Sequence, residues 1–89
     1  MKKPGERIVM TLACRDAWLR NRYILLLDGD GCEYYSLLVS TESGGRFGAE
    51  FVKNVSRDAE SAKELVRTLC GNKVSASGLL YVLQDMYIV

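Results

Sequence analysis

The chain predicts an α+β domain: a mostly antiparallel four-stranded sheet followed by two C-terminal helices packed on one face, in the order ββββαα. Three observations carry that prediction. β-branched and alternating apolar residues fill the first half, glycine-rich turns divide that half into short runs, and the stretch Val55–Val89 carries apolar residues at helical spacing with its own stop and start signals. An 89-residue chain with 48% hydrophobic and 26% charged residues is expected to form one domain over residues 1–89.

The first strand is expected over Arg7–Ala13, and Arg15–Asn21 after it reads as a longer loop or a brief helical turn. The second strand, Arg22–Leu27, ends at Asp28-Gly29-Asp30-Gly31, whose glycines tolerate the positive φ of a tight turn. The third strand is Glu33–Ser40. The fourth, Arg46–Val55, is entered through Glu42-Ser43-Gly44-Gly45, residue types that hairpins prefer. Short connections make antiparallel neighbours, so the second, third and fourth strands should form a meander.

The first helix is expected to open at Ser56 as its cap, with Asp58 and Glu60 suiting the positive end of the helix dipole. Ala59, Ala62, Leu65, Val66 and Leu69 share one face, and Gly71 and Asn72 end the helix because both accept the left-handed conformation. Ser75 then reads as the cap of a second helix running to Met86, with Leu79, Val82, Leu83 and Met86 turned to the core.

Two helices cover one face of a sheet, yet Tyr23-Ile24-Leu25-Leu26-Leu27 is apolar on both faces and Ile8–Cys14 nearly so. Contiguous apolar side chains left in water are costly, so either the sheet curls over its second face or a second copy covers it. A homodimer is the expectation, because a domain of this size has a thin core. Ile24, Leu26, Tyr34 and Leu38 alternate together and form the candidate interaction set; the bland alternative is that they line an intramolecular core.

Other chemistries find less support in the residues. The chain has 12 basic and 11 acidic side chains, a balance that predicts no strong field toward nucleic acid or membrane. With no histidine, and with Cys14, Cys32 and Cys70 widely spaced, no zinc pattern exists, and reduced cytosolic thiols are expected. Asp28-Gly29-Asp30-Gly31 opens like a calcium loop but continues with Cys32, Glu33 and Val39 where ligands and a glycine are required. No cofactor motif occurs, neither G-x-G-x-x-G nor the P-loop, and no nucleophile–base pair or paired carboxylate stands out, so the reading is non-enzymatic. Ile8–Ala13 is too short for a signal peptide's apolar core of roughly seven residues or more. No run approaches the ~20 apolar residues of a membrane span, so a cytoplasmic setting is expected.

Nucleic-acid binding is the competing class. Arg15, Trp18, Arg20 and Arg22 interleave basic and aromatic side chains, the pattern that pairs phosphates and stacks bases. The alternative is that Trp18 and Leu19 plug one end of the core while the arginines reach solvent. The two helices match a helix-turn-helix outline, but the positions expected to be exposed on the second, Ala76, Ser77, Tyr81, Gln84 and Asp85, include no Arg or Lys.

Phe47-Gly48-Ala49-Glu50, Val55-Ser56-Arg57-Asp58, Lys63-Glu64-Leu65-Val66, Val74-Ser75 and Val82-Leu83-Gln84-Asp85-Met86 together resemble DUF6514, a domain-of-unknown-function family of small proteins from Clostridia-type Firmicutes. The resemblance covers the C-terminal half. It implies a cytoplasmic bacterial setting and no activity to carry over. Where members carry a histidine shortly after the second helix cap and an acidic pair near the end, this chain has Gly78 and Asp85, so no polar role passes to the second helix.

Overall fold

The computed structural model describes residues 7–29 and 33–86. Four strands, β1 (Arg7–Arg15), β2 (Arg20–Asp28), β3 (Tyr34–Ser43) and β4 (Arg46–Ser56), form one antiparallel sheet in chain order. Helix α1 (Ala59–Gly71), a single 3₁₀ turn (Ala76–Gly78) and helix α2 (Leu79–Asp85) follow. The expected fold class is what the chain forms, with two C-terminal helical elements packed against the sheet.

Consecutive strands pair throughout, and the β2–β3 ladder runs without a register shift. Gly44 and Gly45 connect β3 to β4 with φ of +54° and +83°, the paired positive values of the turn whose twist matches the flanking strands. Between β1 and β2 the sequence reading needs correction. Arg15–Asn21 is not a long loop: Cys14 pairs with Asn21 and Arg15 with Arg20, leaving only residues 16–19 as the turn, closed by the Asp16 amide on the Leu19 carbonyl at 2.8 Å. Asp30, Gly31 and Cys32, which bear on the calcium-loop reading, lie outside the described residues.

Two bulges set the faces of the edge strands. Val9 is the extra residue of β1. In β4, Asn54 adopts φ +58°, and its amide donates to the Ser36 hydroxyl at 3.2 Å. Between the Leu37–Val52 and Tyr35–Ser56 pairs β4 runs four positions to two in β3, and this irregularity lets Val52 and Val55, three positions apart, both turn into the core.

The core lies between the sheet and the helices. Tyr23, Leu25, Leu37 and Val39 from the sheet meet Ala62, Val66 and Leu69 of α1 and Leu79 and Leu83 of α2, all with no exposed surface. The helix stripe is therefore as expected, except that Met86 stands 41% exposed and Ala76, expected outside, is buried.

The helix ends also differ from expectation. Asp58, not Ser56, is the cap of α1: its carboxylate accepts from the Ser61 amide at 2.8 Å, while Ser56 ends β4 and accepts from the Asp58 amide through its hydroxyl. That amide of Ser61 holds the Asp58 carboxyl below its ordinary pKa. Past the helix, the left-handed residue is Lys73 (φ +53°), not Gly71 or Asn72.

A polar clasp fastens the loop after α1 to the sheet. Thr41 on β3 donates to the Asn21 side-chain oxygen at 2.8 Å and accepts from the Ala76 amide at 2.8 Å. Asn21 in turn donates to the Lys73 carbonyl at 3.4 Å, and the Tyr23 hydroxyl donates to the Val74 carbonyl at 2.7 Å. Asn21 and Tyr23 are both buried, and this network leaves no buried side-chain polar atom unsatisfied among the described residues. Burial, reinforced by the neighbouring Cys14 thiol, pushes the Tyr23 phenol well above its ordinary pKa.

Candidate functional site

Because both helices pack on the Tyr23 side, the alternate residues of every strand form an open face. The register arranges them in rows across the sheet. Thr11, Ile24, Leu38 and Phe51 make one row, with Ile8 beside Leu26 in the next. None of these apolar residues belongs to the core cluster, and Ile8 and Phe51 are each 49% exposed. The sequence-derived set Ile24, Leu26, Tyr34 and Leu38 lies on this face together. Ile8 and Phe51, which sequence reasoning missed, extend it to both edge strands.

The two ends of the open face differ chemically. At one end Asp28 on β2 stands opposite Tyr34 on β3, and the Tyr34 hydroxyl donates to the Asp28 carboxylate at 3.2 Å. Lys53 lies over the Tyr34 ring, 5.5 Å from its centre, and the Tyr34 hydroxyl raises the lysine's pKa.

At the other end Arg22 is flanked by Ala13 and Ser40, with Ala49 next in the row, and beyond it come Arg15, Arg20, Glu42 and Phe47. All of these except Ala49 line an open groove of about 390 Å³. None of Arg15, Arg20 and Arg22 forms an ion pair among the described residues, although Glu42 is the register partner of Arg20. The structure thus brings these arginines together and adds Phe47, 73% exposed, which the sequence reading did not single out.

Trp18 does not join them in the groove or plug the core. It stands 81% exposed at the tip of the β1–β2 turn, where it lines a separate cavity of about 190 Å³ with Arg15, Arg20 and Glu42. Helix α2 spans only Leu79–Asp85.

Elsewhere the chemistry is quiet. Cys14 and Cys70 are unpaired thiols, and burial, with Cys14 close by, pushes the Cys70 thiol up toward its less nucleophilic protonated form. Among the described residues no cluster of three metal-ligating side chains occurs, and no helix is long and apolar enough to cross a membrane. No family model matches the chain, nor does any curated protein or solved structure.

Proposed function

We propose that the protein is a non-enzymatic interaction or regulatory module that works as a homodimer, with the open sheet face as its interface. The observation that carries this reading is the unbroken apolar row from Ile24 through Leu38 to Phe51, adjoined by Ile8 and Leu26, none of which joins the core cluster among the described residues. Four strands at ~4.8 Å spacing and a ~3.4 Å rise per residue make a face on the order of 600 Å² before side-chain relief is counted. That approaches the ~800 Å² per partner of a stable protein interface. The free thiols of Cys14 and Cys70 suit a cytoplasmic setting.

The test is the mass in solution of wild type and of Leu26→Asp. Leu26 lies outside the core, so the charge should release monomers of 10.0 kDa while the far-UV circular dichroism is unchanged. Thr11→Arg, an exposed position in the neighbouring row of Ile24, Leu38 and Phe51, serves if Leu26→Asp folds poorly. Wild type that never exceeds the monomer mass removes the reading.

The groove at the arginine end supports a second reading, in which Arg15, Arg20 and Arg22 hold the phosphates of a single-stranded nucleic acid and Phe47 or Trp18 stacks a base. It competes with the dimer for Arg22. Labelled single-stranded oligonucleotides should then bind with an affinity that falls steeply with salt, and binding indifferent to salt would remove it.

A further inference from the structure

We infer that Cys14 and Cys70 are a paired modification site, two thiols that a low-molecular-weight disulfide oxidises to a covalent bond between β1 and α1. The inference is independent of what covers the open face. Asn21 and Tyr23 on β2 hold the Lys73 and Val74 carbonyls, and the amides of those same two residues donate back to the Cys70 and Leu69 carbonyls. The last turn of α1 is thereby fixed over the β1–β2 ladder. Cys14 is the register partner of Asn21 and lies in this contact: its Sγ is 3.6 Å from the Tyr23 hydroxyl and accepts from the Asn21 side-chain amide at 3.7 Å. Cys70 brings its thiol to the same place, where it interacts directly with that of Cys14. Both pack at the margin of the core and are half-buried, so neither sulfur is sealed from solvent.

The surroundings give the two thiols different roles. The Tyr23 hydroxyl donates its one proton to the Val74 carbonyl, so in the 3.6 Å contact the Cys14 thiol donates and the phenol oxygen accepts. When the thiol proton leaves, the Asn21 N–H remains on the sulfur and supports the nucleophilic thiolate. Cys70 holds its proton more firmly, because burial and the adjacent Cys14 push its thiol up. Cys14 therefore attacks first, taking one sulfur of the disulfide and releasing the other as a thiolate. Cys70 then attacks Cys14 Sγ and expels the second thiolate. Two protein thiols are oxidised, one disulfide is reduced to two thiols, and the protons of Cys14 and Cys70 end on the released sulfurs. The new bond anchors β1, an edge strand paired with β2 alone, and with it Ile8 of the apolar face and Arg15 of the groove.

The test treats the folded full-length chain with oxidised glutathione. Cys32, which lies outside the described residues, is replaced as Cys32→Ser so that only the two thiols react. The protein should lose two hydrogens and keep no glutathione, the tryptic peptides of residues 8–15 and 68–73 should be found joined, and dithiothreitol should separate them. Amide exchange along β1 should slow by about tenfold or more in the oxidised form. Adding Cys70→Ser should arrest the reaction with one glutathione on Cys14, whereas adding Cys14→Ser should leave Cys70 slow to react; circular dichroism checks that each variant is folded. Wild type mapped in the same way, without any substitution, should join the same two peptides. Glutathione retained on both Cys14 and Cys70, both thiols left reduced, or a wild-type bond that runs to Cys32 instead overturns the inference.

Discussion

Replacing Thr41 by valine removes one hydroxyl and keeps the side-chain shape, which isolates the clasp between the sheet and the loop after α1. That hydroxyl donates to Asn21 and accepts from the Ala76 amide, both at 2.8 Å, and both partner residues are buried. Each group left without a partner costs about 1–3 kcal/mol, and the half-buried valine recovers little of it, so a loss of about 2–4 kcal/mol is expected. Against the ~5–15 kcal/mol that holds a small domain together this is a large share. At about 4–8 °C per kcal/mol it lowers the melting midpoint by roughly 8–32 °C. Thr41→Ser keeps both hydrogen bonds and loses one methyl group, which costs below about 1 kcal/mol at a half-buried site. The assay is urea unfolding with thermal melts as a cross-check, and hydrogen exchange should show early loss of protection at the Ala76 amide. If the valine and serine variants are equally stable, the clasp does not hold the loop in the way described.

Removing the Tyr23 hydroxyl as Tyr23→Phe deprives the Val74 carbonyl of its 2.7 Å donor and should cost about 1–2 kcal/mol in the same assay. The raised phenol pKa has a definite sign: folding favours the protonated form, so its contribution is complete below the ordinary value near 10.0 and is lost as pH rises above it. Wild type should therefore lose stability in that alkaline range more steeply than Tyr23→Phe, and equal slopes would contradict the assignment. Asp58 works in the opposite direction. Its depressed pKa gives stability that is present above the ordinary carboxylate value and is lost as pH falls through the folded value, so Asp58→Asn, which can still cap, should flatten the acid limb of the stability profile. Leu69→Ala, at a position with no exposed surface between α1 and the sheet, should cost about 2–5 kcal/mol by opening a cavity, and a smaller loss would mean that the core collapses to fill it.

The order of elements was legible because each depends on signals within a few residues: glycine pairs at the turns, alternation in the strands, and the Ala62, Leu65, Val66 and Leu69 stripe in α1. What escaped depends on partners far away in the chain. Asn21 looks like a loop residue, yet it is buried in β2 because Thr41 and the Lys73 carbonyl, 20 and 52 positions away, satisfy its amide. Reading it as loop hid the extension of β1 and β2 that carries Arg15 and Arg20 onto the sheet. Ser56 and Asp58 are both competent caps, and the choice turned on the β4 bulge at Asn54, which prolongs the strand through Ser56. The spacing of Val52 and Val55 was the available sign of that bulge.

On the candidate surface, alternation alone grouped Ile24, Leu26, Tyr34 and Leu38, but it could not say which face the helices take. Tyr23 decides this in the structure, since its hydroxyl must reach the Val74 carbonyl on the helical side. Ile8, Phe47 and Phe51 were missed because each lies on an edge strand where an exposed apolar residue carries little meaning until its cross-strand neighbours are known.

The central claim, that the open face is covered by a second copy of the chain, is tested most directly by sedimentation velocity of the wild-type protein over its accessible concentration range. The account predicts a species of twice the 10.0 kDa chain mass that dissociates on dilution. A single monomeric boundary at every concentration would contradict it.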